Sequence, residues 1–212
     1  MVAGKNLVVK IAAIDKYGNT YFDGGYGYTF ECLAYDMSNP SVYVTLQGST
    51  DNLDGTYTSF LRLTLALKYG VLCYLDKFDS GKGFPLAANA QVVVVTPASV
   101  ATDKTTVTGA GLVRAKVGVQ QALVMVTRDE FGNKVSSGNV VFAGRVTGPV
   151  PVTLAFARNY AIGKDYGTYA VTYAVTKSGR YSLSIRRRGA HVTGSPWNYL
   201  DAMPGTPLPR KE

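Results

Sequence analysis

Strict alternation of apolar and polar side chains between Asp165 and Trp197 constrains this chain more than any other feature. The stretch DYGTYAVTYAVTKSGRYSLSIRRRGAHVTGSPW places Tyr169, Val171, Tyr173 and Val175 on one face. Tyr181, Leu183 and Ile185 form a second inward row, while Thr, Ser and Arg turn to water. The spacing predicts strands over Gly167 to Val175 and Tyr181 to Arg187, hinged at Ser178-Gly179, and a third running to Gly194-Ser195-Pro196-Trp197. Two sheets packed face to face bury both rows, so the fold class is all-β.

A chain of 212 residues fits one large or two small domains. β-rich modules of about 100 residues favour two. No helical heptad pattern is present, and no apolar run approaches the ~18 residues needed to span a bilayer. The opening Met1-Val2-Ala3-Gly4-Lys5 lacks a long apolar core, so no signal peptide is expected. Charge divides unevenly: seven Lys/Arg against eight Asp/Glu up to Thr96, then fifteen against six. A basic second half fits an acidic partner surface. Neither DNA nor RNA is expected, because zinc-finger spacing, an RNP-like aromatic motif and a basic helix are all missing.

An internal repeat runs through the turns. Leu7 to Asp15 reads as a strand ended by Asp15-Lys16-Tyr17-Gly18-Asn19, and Leu123 to Arg128 is followed by Asp129-Glu130-Phe131-Gly132-Asn133. Gly and Asn tolerate positive φ and Asp binds nearby amides, so D-x-aromatic-G-N builds a turn without a ligand. Calcium is the sharper reading of these aspartates, but the loop offers too few oxygens, and the turn reading is preferred. Asp54-Gly55-Thr56-Tyr57 likewise repeats as Asp165, Gly167, Thr168 and Tyr169. Further strands are expected over Tyr28 to Asp36, Ser41 to Gly48, Tyr57 to Leu65, Tyr69 to Leu75 and Ala90 to Val95. Tyr69 stands where Tyr181 stands later, placed to hydrogen-bond across a sheet corner.

Catalysis has little to stand on. The one histidine, His191, has no nucleophile motif beside it, and G-x-S-x-G, P-loop, H-E-x-x-H and C-x-x-C patterns are missing. No enzyme activity and no cofactor or metal are expected.

The D-G-T-Y strand, the Gly179-x-Tyr181 strand and the closing Gly194-Ser195-Pro196-Trp197 resemble the end of a filamin-type immunoglobulin repeat. Gly109-Ala110-Gly111-Leu112 is similar to that family's opening G-x-G-L, so the resemblance covers about Thr105 to Trp197. It implies two tandem filamin-type β-sandwiches: a divergent repeat over 1–96, a linker over 97–104, a repeat over 105–199 and a tail over 200–212. The first repeat lacks the G-x-G-L opening, and Gly83-Phe84-Pro85-Leu86 stands where G-S-P-aromatic is expected. Its first strand is therefore expected to be missing or supplied from upstream.

The resemblance also implies a partner site. In filamin-type repeats an extended peptide adds beside the third and fourth strands, here Gly138 to Val146 and Val152 to Arg158. The positions carried over are Val140, Phe142 and Gly144 with Leu154 and Phe156, each of which is individually read as core filler. Arg186-Arg187-Arg188 is the sharpest charge cluster, either a solvated strand end or a docking point for an acidic surface. Trp197 is expected to cap the core.

Cys32 and Cys73 both point inward by alternation, and the resemblance assigns them to neighbouring strands of one sheet. They are expected as buried free thiols, since cysteine packs as a small apolar residue. A disulfide would instead argue for an oxidising compartment. Asn39-Pro40-Ser41 is blocked as a glycosylation acceptor, which tilts toward the cytosol. The reading is a non-catalytic spacer and docking module of a larger cytoskeleton-associated scaffold, binding protein partners by strand addition and a basic surface. The alternative is extracellular adhesion, because such repeats also occur in gamete surface proteins and in ligase scaffolds.

Overall fold

The computed structural model describes residues 1–25, 30–46, 49–75, 84–86, 89–136, 140–158 and 167–205. Tyr28, Gly48, Gly83, Gly138 and Asp165, used above, lie outside them, as do 206–212 of the tail. Among the described residues every regular element is a strand, apart from one 3-10 turn at Ala110–Leu112. The chain divides into two compact units, Met1–Thr96 and Pro97–Glu212.

Unit 1 is built from β1 (Asn6–Ala12), β2 (Phe30–Asp36), β3 (Asn39–Leu46), β4 (Thr50–Asp51), β5 (Thr56–Arg62), β6 (Lys68–Leu75), β7 (Phe84–Pro85) and β8 (Gln91–Val94). One sheet runs β1-β5-β4. The other runs β3-β2-β6, with β7 and β8 both on the far side of β6. Pro40 sits in β3, an edge strand, where a missing N–H costs no ladder bond. Phe30 and Tyr57 meet across the sandwich with ring centroids 4.6 Å apart, and Ile11 and Cys32 complete that cluster.

Unit 2 contains β9 (Val100–Thr108), β10 (Arg114–Lys116), β11 (Gln121–Asp129), β12 (Ala143–Thr147), β13 (Val152–Thr153), β14 (Ala155–Arg158), β15 (Thr168–Tyr173), β16 (Gly179–Arg187), β17 (Ala190–His191) and β18 (Trp197–Met203). Its sheets run β14-β15-β11-β9 and β10-β18-β16-β12-β13, with β17 paired to β16. The inward rows read from the sequence form the core: Tyr169, Val171, Tyr173 and Val175 face Tyr181, Leu183 and Ile185, all buried. The stretch 97–104, expected as linker, instead enters β9 from Val100 onward. β9 is an edge strand that buries Val100, Thr105 and Val107 and leaves Asp103, Lys104, Thr106 and Thr108 in water, which gave it the composition of a linker. The expected tail likewise starts inside β18, where Leu200 and Ala202 are buried.

The repeated turns match atom for atom. In unit 1 the N–H groups of Tyr17 and Asn19 donate to Asp15 Oδ1, and the Asn19 side-chain amide donates to Oδ2. In unit 2 Phe131 and Asn133 N–H donate to Asp129 Oδ1, and the Asn133 amide donates to Oδ2 at 2.8 Å. Gly18 and Gly132 both take φ of 88°, a conformation glycine adopts without strain. The tyrosines at the sheet corners also correspond. Tyr69 OH donates to the Leu65 carbonyl and Tyr181 OH to that of Lys177, each four residues upstream.

The expectation of two free thiols is corrected: Cys32 and Cys73 form a disulfide, and no free cysteine remains. They lie on neighbouring strands, as read, but β2 and β6 pair in a register that sets them directly opposite, with Cα atoms 4.0 Å apart. Opposed same-face residues of an antiparallel pair come close enough to bridge within one sheet. The inter-sheet geometry taken as the requirement is not needed.

Candidate docking surface

The residues carried over to a partner groove all fall on the core side of the chain. β12 starts at Ala143, so Val140 and Phe142 come before it rather than within it. Phe142 is 8% exposed and packs edge-on against the Tyr169 ring at 5.5 Å and beside Phe156 at 6.1 Å. Leu154 is buried, and Val140 and Phe156 are half-buried against the same core. At Leu154 the chain passes from one sheet to the other: β13 pairs with β12, whereas β14 pairs with β15. The Leu154 N–H donates to the Gly144 carbonyl during the crossing. Gly144 is required by this close approach, because a Cβ there would lie 2.4 Å from Leu154 Cδ1 and 2.8 Å from Phe156 Cζ. These five positions thus close the core where the two sheets exchange a strand.

The opposite face of the same segment is what solvent meets. Val141 is 80% exposed, and Ala143 and Arg145 are exposed beside it. Across the sheet Ala143 pairs with Arg186 and Arg145 with Ser184. Together with Gly144 they line a shallow depression of about 210 Å³. The result is a strip with one apolar projection and two guanidinium groups. The sequence reading named neither Val141 nor Arg145, although alternation places them: if 140, 142 and 144 face inward, then 141, 143 and 145 face outward. The edge of β12 is bordered by β13 only at Arg145 and Val146.

The arginine triplet is not uniform. Arg186 and Arg188 are exposed, whereas Arg187 is half-buried and donates from Nη1 to the Val100 carbonyl at 2.8 Å, tying β16 to β9. Arg188, with φ of 48°, and Gly189 make the turn into β17. His191 is half-buried, with Nδ1 2.8 Å from Ser195 Oγ, and that oxygen accepts the Ile185 N–H. His191 thus helps hold the last loop against β16. Gly194 takes φ of 81° and lies under the Trp197 indole, which packs half-buried on the core as expected.

Local electrostatics follow the turns. Burial opposes ionisation of Asp129, but the Asn133 amide and the N–H groups of Ala98, Asn133 and Phe131 outweigh it and hold the carboxyl below its ordinary range. Asp15 is also held low, by the Asn19 side chain and the turn amides. Burial pushes the Tyr173 hydroxyl up to about 12, and it donates to the Gly111 carbonyl. Among the described residues no cluster of three or more metal-ligating side chains forms.

Residues 99–198 match the Filamin/ABP280 repeat family. Tripartite motif-containing protein 3 of Rattus norvegicus is 33% identical over 107 residues, which is 50% of this chain and 14% of that protein. Tripartite motif-containing protein 2 of Homo sapiens is 29% identical over 123 residues, 58% of this chain and 16% of that protein. The chain therefore spans only 14–16% of the length of these relatives. In fold the chain is similar to the Escherichia coli adhesin FdeC, with TM-score 0.57 and 19% identity over 95% of this chain and 60% of that one. It is also similar to invasin, described as a bacterial integrin-binding protein, with TM-score 0.55 and 14% identity over 96% and 38%. The G-x-G-L opening, the Asp129 turn and the G-S-P-W close are thus explained together: residues 99–198 are a filamin-type immunoglobulin-like repeat, which follows a separate β-sandwich unit in the sequence.

Proposed function

We propose that this chain is a non-catalytic spacer and docking module of a larger surface protein, working in an oxidising compartment. Its second unit takes an acidic, extended protein segment along the strip formed by Val141, Ala143, Arg145 and Arg186. The observation that carries the reading is the division at β12: the inward residues are consumed by the core, while the outward ones stay exposed beside Arg186. Main chain ahead of β12, which pairs with no described strand, can supply affinity and the guanidinium groups selectivity. The Cys32–Cys73 bridge favours adhesion outside the cytosol over the cytoskeletal scaffold, because thiols of most cytosolic proteins stay reduced. Identity with the tripartite motif-containing proteins favours a second reading, a docking module inside a large intracellular scaffold.

The test is capture of acidic protein ligands from extracellular-matrix extracts at rising salt, with two variants run beside the parent. Val141→Asp and the double change Arg145→Gln with Arg186→Gln each alter exposed residues, so the fold is retained. Each is expected to weaken capture at least tenfold, and the parent's capture to fall steeply between 50 and 300 mM salt, roughly as expected of screened charges. Capture unchanged by both variants contradicts the proposed strip.

A further inference from the structure

The two units offer an internal comparison, because their turns fix a common register. Asp15 corresponds to Asp129, which places Val9 against Leu123 and Ile11 against Met125. The partner strands agree, with Ile11 opposite Tyr57 and Met125 opposite Tyr169. Yet Leu123 and Met125 are 1% and 0% exposed, whereas Ile11 is 9% exposed and Val9 only half-buried. The cause is the strand beyond. In unit 2, β11 lies between β15 and β9, with Val107 opposite Met125. In unit 1, β1 ends its sheet, and no described strand lies on its outer side.

An apolar groove of about 440 Å³ opens at this position. Leu7, Val9 and Ile11 of β1 line one wall, and Val71, Cys73 and Val93 of the facing sheet line the other. An edge strand with free main-chain groups beside an apolar slot is a template for another strand. We infer that the β1 edge of unit 1 is a strand-acceptor site. Its occupant is an extended peptide segment of the kind β9 provides to unit 2, antiparallel to β1, with β-branched or apolar residues at alternate positions. Lys10 alternates with Val9 and Ile11, so its exposed side chain lies on the outer face of β1, at the position of Val124, which pairs with Thr108. A carboxylate in the incoming strand at the Thr108 position gains a cross-strand pair with it. The site is separate from the strip in unit 2, and neither depends on the other.

The experiment uses the whole chain and a synthetic peptide copying Val100–Thr108, VATDKTTVT, with a proline-interrupted version as control. Amide exchange is followed with peptide up to roughly millimolar concentration, since a single added strand binds weakly. The expected result is saturable slowing of exchange at Lys10 and Ala12, whose N–H groups face the open edge while those of Ile11 and Ala13 face β5, and none with the control peptide. Val9→Asp, in the groove wall, is expected to reduce binding at least tenfold, while Phe60→Asp, exposed on the neighbouring strand β5 and outside the groove, leaves it unchanged. If Val9→Asp does not fold, Leu7→Asp tests the same wall. Slowing confined to β11, or binding indifferent to the groove variants, overturns the inference. Protection of β1 by self-association without peptide overturns the assigned occupant.

Discussion

Asp129→Ala is expected to lower the stability of the second unit by about 3–4 kcal/mol, one of the two largest effects anticipated for a single position. The carboxylate is fully buried and accepts from the N–H groups of Ala98, Phe131 and Asn133 and from the Asn133 amide. Removing it leaves those donors without their acceptor and unties the start of β9 from the end of β11. For a unit of this size the melting temperature should fall by roughly 15–25 °C. Asp15→Ala, whose carboxylate sits in the same turn but is solvated, should cost less. The pH dependence has a fixed sign. The Asp129 carboxyl is held below its ordinary value of 3.8, so its stabilisation is complete above that value and is lost as pH falls through the folded one. Chemical denaturation at pH 7 and pH 3 checks this. The parent should lose stability between the two, and Asp129→Asn should show a smaller loss over the same interval.

The second large effect belongs to the bridge in unit 1. Cys32→Ala with Cys73→Ala, or reduction of the parent, should cost unit 1 about 2–4 kcal/mol, because the link closes a long loop in the unfolded chain. Unit 2 contains no cysteine and should melt unchanged. Two calorimetric transitions, of which reduction shifts one, are the expected signature. Protein isolated without reductant should yield no titratable thiol when denatured and two after reduction. Two thiols before reduction would remove the argument for an oxidising compartment and restore the intracellular reading.

What could be read in the amino-acid sequence was whatever depends on local period or local turn chemistry. Alternation placed Tyr169, Val171, Leu183 and Ile185 in the core, and D-x-aromatic-G-N described two turns whose hydrogen bonds match donor for donor. The corner tyrosines followed from the same repeat. Features fixed by pairing register were not legible. Alternation assigned Cys32 and Cys73 to inward faces, but a two-residue slip would have kept those faces and separated the sulfurs. β9 was taken for a linker because an edge strand needs few apolar residues. At the proposed docking surface, attention to the inward row of Val140, Phe142 and Gly144 passed over the outward Val141 and Arg145. Arg187 could not be told from its neighbours, since its bond to the Val100 carbonyl depends on tertiary contact.

The central claim is that partners meet the outward strip of unit 2 and not its inward row. Amide exchange on the whole chain with and without a captured acidic ligand tests it most directly. Slowed exchange concentrated at Val140 to Arg145 and Ser184 to Arg186 is the predicted result. Full binding with those amides unchanged, and slowing elsewhere in the second unit, would contradict it.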